Sequence, residues 1–306
     1  MEIANSGLQH LQIRRAEERD LPKIAEMMQH APYNHIHVDW RLPRYWLDTG
    51  AFVVAETETA QSTGSGILLG CLVVGADPPP GAWVRVAALR GRRLATPLLQ
   101  TMLLQSARRM AEDGVTEIGW LPRSKWPQEW MEALGFTHVD EVVTYVKNGV
   151  EIPDKVRHNE RVHVRDVAAG DMPHLAEIER AAFEPLWRHS IESLSIGWQH
   201  SLSFHAAELD GRLVGFQYSS DSDVPHAGHL VRLTVDPNAQ RSGVGSALLR
   251  AALESYRRRN LQEASLNTQL SNEPSRHLYE KFGFKPAGYH WPVWSWPVEH
   301  ERLSDL

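Results

Sequence analysis

The sequence is poor in cysteine, in long apolar runs and in positive charge, and each shortage excludes a class of protein. Its single cysteine, Cys71, excludes an intrachain disulfide and a metal site built from cysteine side chains. Cys71 lies in the apolar run 67–74, where a buried, unreactive thiol is expected. No run approaches the ~18 apolar residues of a membrane span, and the N-terminus lacks the basic and apolar segments of a secretory signal. We therefore expect a cytoplasmic protein without a membrane partner.

The formal net charge of −6 makes nucleic acid an unexpected partner, because nucleic-acid-binding surfaces are positively charged. Hydrophobic residues make up 42% and charged residues 23% of the chain, as in ordinary globular proteins. A length of 306 residues is about twice that of a usual domain and favours two domains. No metal site is expected.

The chain contains an internal repeat whose period is a whole domain. Four short segments of the first half recur in the same order about 150 residues later. The pairs are 13–15 with 164–166, 20–26 with 171–177, 54–56 with 206–208, and 134–136 with 282–284. This order indicates a duplication, with domains at 1–150 and 151–306 and a polar linker at 147–155 that contains glycine and proline.

Each half has the pattern of a mixed α/β domain. In the second half, the predicted strands are 162–165, 203–209, 213–219, 229–235, 264–268 and 289–298, and the predicted helices are 172–183, 246–259 and 273–282. Asp210-Gly211, between two of these strands, is a strong signal for a hairpin. We expect a twisted, mostly antiparallel sheet flanked by helices, with one parallel crossover between strands 229–235 and 264–268.

A glycine turn, Gly243-Val244-Gly245, stands between the strand that ends at Val235 and the helix 246–259. Because glycine has no side chain, Gly243 and Gly245 allow a tight turn and leave the N–H groups at the helix start open. These groups, together with the helix dipole, attract an anion such as a phosphate or diphosphate. The spacing matches neither a P-loop nor a complete dinucleotide-binding motif. A turn that merely needs glycine is the alternative at this point.

The residues around this turn carry a resemblance to a known family. Val235-Asp236-Pro237 is followed by Gln240-Arg241-Ser242-Gly243-Val244-Gly245, and Asn272 is followed by Leu278-Tyr279 and Gly283-Phe284. These two motifs, in this order, resemble those of the GNAT superfamily of acyl-CoA N-acyltransferases. The resemblance covers the second half directly and the first half through the repeat. The tandem arrangement is similar to that of the mycothiol synthases, although no residue singles out their acceptor.

The resemblance implies a site for acetyl-CoA as co-substrate. Backbone N–H groups of 241–245 would bind its diphosphate, strand 233–235 would pair with its pantetheine arm, and an N–H of that strand would polarise the thioester carbonyl. The residues implied are Leu233, Thr234, Val235, Gln240, Arg241, Ser242, Gly243, Val244, Gly245, Ser246, Asn272 and Ser275. Tyr279 would protonate the departing thiolate, for which a phenol with a pKa of about 10 is suited. A core aromatic side chain is the alternative for Tyr279.

The base that deprotonates the acceptor amine is less clearly marked, because strand 229–235 carries no acid where many members of the family have a carboxylate. His229 is the first candidate, since its ring titrates near neutral pH. The two-residue period of a strand predicts that it shares a face with Val231, Leu233 and Val235. The other candidates are Glu184, Asp221, Asp223 and His226.

The first half lacks this equipment. Through the repeat, Gly243 corresponds to Arg93, and Tyr279 corresponds to Met131. A long side chain thus replaces a glycine where a phosphate would approach, and a methionine cannot donate a proton. We therefore expect residues 1–150 to form a degenerate, non-catalytic domain and residues 151–306 to form the catalytic domain.

Two functions from different classes follow. The first is transfer of an acetyl group from acetyl-CoA to the primary amine of a small molecule, by direct attack in a ternary complex, since no residue marks a covalent nucleophile. The second is binding of CoA or an acyl-CoA without turnover, as a sensor or scaffold. An acid beside the sulfur favours the enzyme. The aromatic residues Phe183, Trp187, Trp198 and Trp291 are candidates for the acceptor pocket, and the sequence leaves a homodimer open.

Overall fold

The structure, a computed structural model, describes residues 11–37, 41–57, 66–156 and 159–299. The chain forms two compact units. The first unit is residues 1–139 together with 293–306, and the second unit is residues 140–292. The outer limits of the two predicted domains, residues 1 and 306, lie outside the described residues.

The first unit is a mixed sheet with helices packed on it. Its strands are β1 (Leu11–Arg15), β2 (Tyr33–Ile36), β3 (Ala51–Thr57), β4 (Leu68–Ala76), β5 (Gly81–Leu89) and β6 (Glu117–Trp120), and its helices are α1 (Leu21–His30), α2 (Trp46–Thr49) and α3 (Ala95–Glu112). The order of the main strands is β1-β3-β4-β5-β6, and only the pair β5–β6 is parallel. Strand β2 also pairs with β5, in the antiparallel sense.

The second unit repeats this plan. Its strands are β7 (Thr137–Asn148), β8 (Val162–Asp166), β9 (Ser203–Leu209), β10 (Arg212–Asp221), β11 (Ala227–Val235) and β12 (Glu263–Gln269), and its helices are α4 (Met172–Ala182), α5 (Ile191–His200), α6 (Val244–Arg258) and α7 (Glu273–Lys281). The strand order is β7-β12-β11-β10-β9-β8, and only the pair β11–β12 is parallel.

Each unit contains part of the final strand of the other repeat. Strand β7 ends the first repeat, yet its residues 142–148 pair with β12 in the second unit. The last strand, β13 (Lys285–Pro297), ends the second repeat, yet its residues 294–297 pair with β6 in the first unit. The sequence repeat places the boundary between the two domains at residue 150. The compact units have other boundaries, at 139/140 and 292/293, because the ends of the two final strands are exchanged.

The predicted mixed α/β fold with a mostly antiparallel sheet is confirmed. The hairpin forms as expected, with Asp210 at φ 52° and Gly211 at φ 78° between β9 and β10. The parallel crossover also forms, through helix α6 between β11 and β12. The last strand starts at Lys285, four residues before the predicted start at Tyr289 (289 minus 285).

Helices cover both faces of the sheet in the second unit. Helix α6 packs Leu248 against Val214 on one part of the sheet and Leu253 against Leu230 on another. Helix α4 covers the opposite face with Met172 and other apolar side chains. Burial of each leucine contributes about 1.5–3 kcal/mol. Strand β11 thus runs between two helical layers, α6 on one face of the sheet and α4 on the other.

Candidate active site

Strand β11 is paired along both edges at its start and along one edge at its end. Strand β10 pairs with it from Gly228 to Val235, whereas β12 pairs with it only from Ala227 to Leu230. No other strand in the described ranges pairs with this edge beyond Leu230. Residues 231–235 therefore offer backbone N–H and C=O groups to an extended ligand, which can bind as an added strand.

A β-bulge interrupts β11 where this free edge begins. Tyr218 pairs with Arg232 and Ser219 pairs with Leu230, so Val231 is an extra residue on β11. Val231 packs in the core under helix α4, whereas Leu233 packs in the cores under α6. The prediction that His229 and Val231 share a face with Leu233 and Val235 is therefore wrong, because one inserted residue reverses the alternation.

The glycine turn contains two residues with left-handed backbone. Gly243 caps helix α6 at φ 91°, and Arg241 lies at φ 61°. Asn159 holds the turn through its side chain, since its Nδ2 donates a hydrogen bond of 2.6 Å to the carbonyl oxygen of Ser242. A Cβ on Gly245 would lie 3.2 Å from the side chain of Leu278, so glycine also lets α6 and α7 approach closely.

A cavity of about 330 Å³ runs along the free edge of β11 to the start of α6. Ten of the twelve predicted binding residues line it: Leu233, Thr234, Val235, Gln240, Arg241, Gly243, Gly245, Ser246, Asn272 and Ser275. The other two, Ser242 and Val244, do not, and the Val244 side chain lies in the core. The remaining wall is Ala182, Phe183, Pro274 and Leu278. Arg241 is the charged side chain of this wall, which contains no carboxylate, and such a lining suits an anionic ligand.

Tyr279 lies on α7 beneath this wall, with 5% of its surface exposed. Its ring contacts those of Tyr145 and Phe284. Burial raises the pKa of Tyr279 to about 12, an effect that a hydrogen bond with the side chain of Ser275 and the charge of Arg232 partly offset. The phenol therefore keeps its proton more firmly than the value of about 10 assumed from the sequence.

His229 lies in the paired part of β11, beside β12. Its Nδ1 lies 2.9 Å from the hydroxyl oxygen of Ser265, which fixes the ring. Burial lowers the pKa of His229 from its ordinary value, and the charge of Asp223 acts against this shift. The imidazole is therefore neutral at neutral pH and able to accept a proton.

A buried ion pair lies beneath the free edge of β11, and it was not predicted from the sequence. Glu179 of α4 is fully buried and pairs with Arg232, which lies next to the bulge. The Thr234 hydroxyl donates a 2.9 Å hydrogen bond to Glu179 Oε2, and the His189 N–H donates one of 3.2 Å to Oε1. A glutamate next to the apolar residue Ile178 of an amphipathic helix was the only available signal.

Two of the four aromatic residues that are candidates for the acceptor pocket, Phe183 and Trp187, contact Arg232 of this ion pair. Phe183 lines the cavity, and the Arg232 guanidinium lies 3.6 Å from the centre of its ring. The carbonyl oxygen of Trp187 accepts a hydrogen bond from Arg232. Trp198 is partly exposed on α5, and Trp291 stacks on Tyr289, so the structure does not gather these two at the cavity.

The corresponding turn of the first unit is built differently. Helix α3 begins at Ala95 after Leu94, which has a φ of −119° in place of the left-handed glycine. Arg92 pairs with Glu129, and Met131 is fully buried in the core. These differences lie where the sequence predicts that the first half has lost a phosphate site, and the loss itself stays a prediction.

Within residues 11–37, 41–57, 66–156 and 159–299, no three His, Cys, Asp or Glu side chains come together as a set of metal ligands. No helix in the same ranges has the length and apolar character needed to cross a membrane.

Similarity to known proteins agrees with this geometry. Residues 172–284 match the model of the Acetyltransferase (GNAT) family. An uncharacterized N-acetyltransferase of Methanocaldococcus jannaschii is 32% identical over 124 residues, which is 40% of this chain and 77% of the relative. A mycothiol acetyltransferase of Acidothermus cellulolyticus is 28% identical over 245 residues, which is 70% of this chain and 69% of the relative.

A solved structure extends the similarity to the whole chain. The tandem GNAT protein from the clavulanic acid biosynthesis pathway superposes with a TM-score of 0.57 at 13% identity, over 94% of this chain and 99% of the other. At this identity the likeness concerns the fold, and it supports the arrangement of two similar units in tandem.

Proposed function

The chain belongs to the GNAT family of acetyltransferases, and we propose that its second unit transfers the acetyl group of acetyl-CoA to the primary amine of a small molecule. The observation that carries this proposal is the cavity beside residues 231–235, which joins an unpaired strand edge to a glycine turn at a helix N-terminus.

The two ends of the cavity suit the two parts of the donor. The N–H groups around Gly243 and the dipole of α6 suit the diphosphate, and Arg241 adds a positive charge in a wall without carboxylates. The edge of β11 suits the amide-containing pantetheine arm, which can pair with it as a strand. The bulge at Val231 turns backbone groups out of the ladder, and a N–H there is suited to polarise the thioester carbonyl.

His229 and Tyr279 divide the proton chemistry. The acceptor amine must be neutral to attack the thioester carbonyl, and neutral His229 is the group that accepts its proton. As the new C–N bond forms and the C–S bond breaks, CoA leaves as a thiolate. Tyr279 keeps its proton at neutral pH because its pKa is about 12. It therefore stabilises the thiolate by donating a hydrogen bond.

A small acceptor is proposed from the extent of similarity. The mycothiol acetyltransferase matches along 70% of the chain, whereas the single-unit N-acetyltransferase matches 40% of it. The buried pair of Glu179 and Arg232, with the Phe183 ring against it, gives the acceptor side a rigid floor. An amine that fits against such a floor is a compact one.

The test is thiol release from acetyl-CoA across a panel of small amines and one peptide with a free N-terminus. Tyr279→Phe is expected to lower kcat by roughly 10²–10⁴-fold with little change in KM for acetyl-CoA. Tyr145→Phe is the matched control, because it removes a hydroxyl that bonds Glu280 and Arg276 from a ring that contacts the ring of Tyr279. If acetyl-CoA raises the Tm while no amine releases thiol above background, the protein is a binding protein and the catalytic proposal fails. Turnover with the peptide alone would refute the small acceptor.

A further inference from the structure

Strand β5 of the first unit corresponds to β11 of the second, but its edge is occupied. Strand β4 pairs with one edge of β5 from Ala82 to Leu89. On the other edge, β6 pairs only with residues 81–83, so β5 and β6 separate as β11 and β12 do. Strand β2 fills the remaining length, with Tyr33 opposite Leu89 and Ile36 opposite Val86.

The carbonyl oxygens of Val84 and Arg85, which lie between the segments that pair with β6 and β2, also have partners next to or in β2. His35 is buried, and its Nε2 lies 3.2 Å from the carbonyl oxygen of Val84. Burial lowers the pKa of His35 to about 4, so the ring is neutral at neutral pH. A neutral imidazole has one N–H, and this N–H can donate to the carbonyl oxygen of Val84. The N–H of His37 donates a 2.8 Å hydrogen bond to the carbonyl oxygen of Arg85. Strand β2 therefore meets β5 without a gap from Val84 to Leu89.

Strand β2 is itself held in place from outside the sheet. The Trp126 indole N–H donates a 2.7 Å hydrogen bond to the carbonyl oxygen of Asn34. The Asn34 amide nitrogen donates to the carbonyl oxygen of Ala31 at 3.1 Å, next to the end of α1. The Tyr33 ring contacts the rings of Trp126 and Trp130. These contacts hold β2 against β5 by backbone, side-chain and aromatic interactions together.

The segment at the same place in the second repeat takes another conformation. An offset of 151 residues, from Asp20 to Asp171, carries Asn34 to Pro185. Pro185 begins a one-turn 3₁₀ helix, Pro185–Trp187. The proline ring fixes φ near −65°, which favours that turn over the more extended backbone of a strand. The edge of β11 is thereby left open.

We infer that β2 is a built-in plug of the first unit: it occupies the slot that the second unit offers to the donor, so that one chain binds one acetyl-CoA. This inference rests on the proposed function for the meaning of the slot. The first unit then has the same fold without a donor site. Two features account for this: β2 occupies the edge of β5, and Arg93 stands where the second unit has Gly243.

Hydrogen exchange of the full chain, with and without CoA, tests the plug at single-residue resolution. The carbonyl oxygen of residue 85 accepts a hydrogen bond from the residue after β2, and the N–H of residue 90 donates one to β4, so by the alternation of a strand the amides of 87 and 89 point to β2. In the same way the amides of 233 and 235 point to the free edge of β11, because residue 236 bonds β10.

Amides of 87 and 89 are expected to be protected in both conditions, and amides of 233 and 235 are expected to gain protection of 10-fold or more only with CoA. Native mass spectrometry is expected to show one CoA per chain. A second bound CoA, or protection at 87 and 89 that rises with CoA, would overturn the plug. If no CoA binds and the amides of 233 and 235 do not respond, the proposed function fails, while protection at 87 and 89 still shows that β2 covers this edge of β5.

Two variants sharpen the test. Gly243→Glu is expected to abolish CoA binding, because the second unit holds the single site, and residual binding of one CoA would place a site in the first unit. His35→Ala is expected to speed exchange at 87 and 89 by 10-fold or more without change at 233 and 235. The exposed residue His30 supplies the matched control, His30→Ala. Unchanged exchange at 87 and 89 in His35→Ala would mean that β2 does not provide the protection.

Discussion

Replacing Gly243 by alanine separates backbone strain from ligand binding. Gly243 has a φ of 91°, where an alanine costs about 1–2 kcal/mol of folding free energy. The new Cβ would lie 3.2 Å from Cβ of Asn159, so this side chain must shift by a few tenths of an ångström, which strains its hydrogen bond to the Ser242 carbonyl oxygen and displaces the turn. A displaced turn no longer aims its N–H groups at the diphosphate. Loss of one hydrogen bond to a charged group costs about 1.5–3 kcal/mol, which lowers CoA affinity by roughly 10–150-fold.

Gly211→Ala provides the matched control. Gly211 has a φ of 78° at the tip of the β9–β10 hairpin, and a Cβ there meets no atom within 4 Å. Both variants are therefore expected to lose similar stability in urea denaturation, whereas calorimetry should show weaker CoA binding only for Gly243→Ala. Equal CoA affinity of the two variants would refute the assignment of the diphosphate to this turn.

Three further predictions concern the base, the buried ion pair and the exchanged strands. Because the folded pKa of His229 is lowered, its acid limb in kcat/KM should lie below about pH 6.5, and His229→Gln should remove that limb; a limb that persists excludes His229. Glu179→Gln or Arg232→Met should each cost about 3–5 kcal/mol, with much of the loss recovered in a double variant to apolar residues; additive losses would contradict the pairing. A fragment of residues 140–292 should fold and bind CoA, whereas 151–306 should aggregate, because β12 then lacks its partner β7; a soluble, monomeric 151–306 would argue against this role of β7.

The sequence was informative where the structure is set by neighbouring residues. Asp210-Gly211 and Gly243 require left-handed backbone, so a hairpin and a helix start can be placed from the residues alone. The predicted binding residues between 233 and 246 lie close together in the chain, and most of them line the same cavity for that reason. Their binding role stays a prediction.

The sequence could not reveal features that depend on an inserted residue or on a distant partner. The bulge at Val231 turns His229 to the other face, and no glycine, proline or other distinctive residue marks it in the segment 229–235. Glu179 finds Arg232 from 53 positions away, and nothing in its helix names that partner. The same limit applies to Tyr279, whose raised pKa reflects burial by residues from several elements.

The exchange of final strands was hidden for another reason. Strands β7 and β13 occupy equivalent positions in the two repeats, and each follows a short helical segment and a Gly-Phe pair. Either strand therefore satisfies the pattern of either unit, and the repeat alone favours pairing within each half. Only the observed registers, 142–148 with β12 and 294–297 with β6, assign them.

This exchange also sets an order for folding during translation. The partner of β6 is residues 294–297, which the ribosome adds only after the complete second unit. The first unit, although it is synthesised first, must wait with one sheet edge unpaired while the second half emerges. A premature stop shortly before residue 294 would therefore damage the amino-terminal unit and leave the cavity of the second unit, whose lining ends at Leu278, with all of its strands.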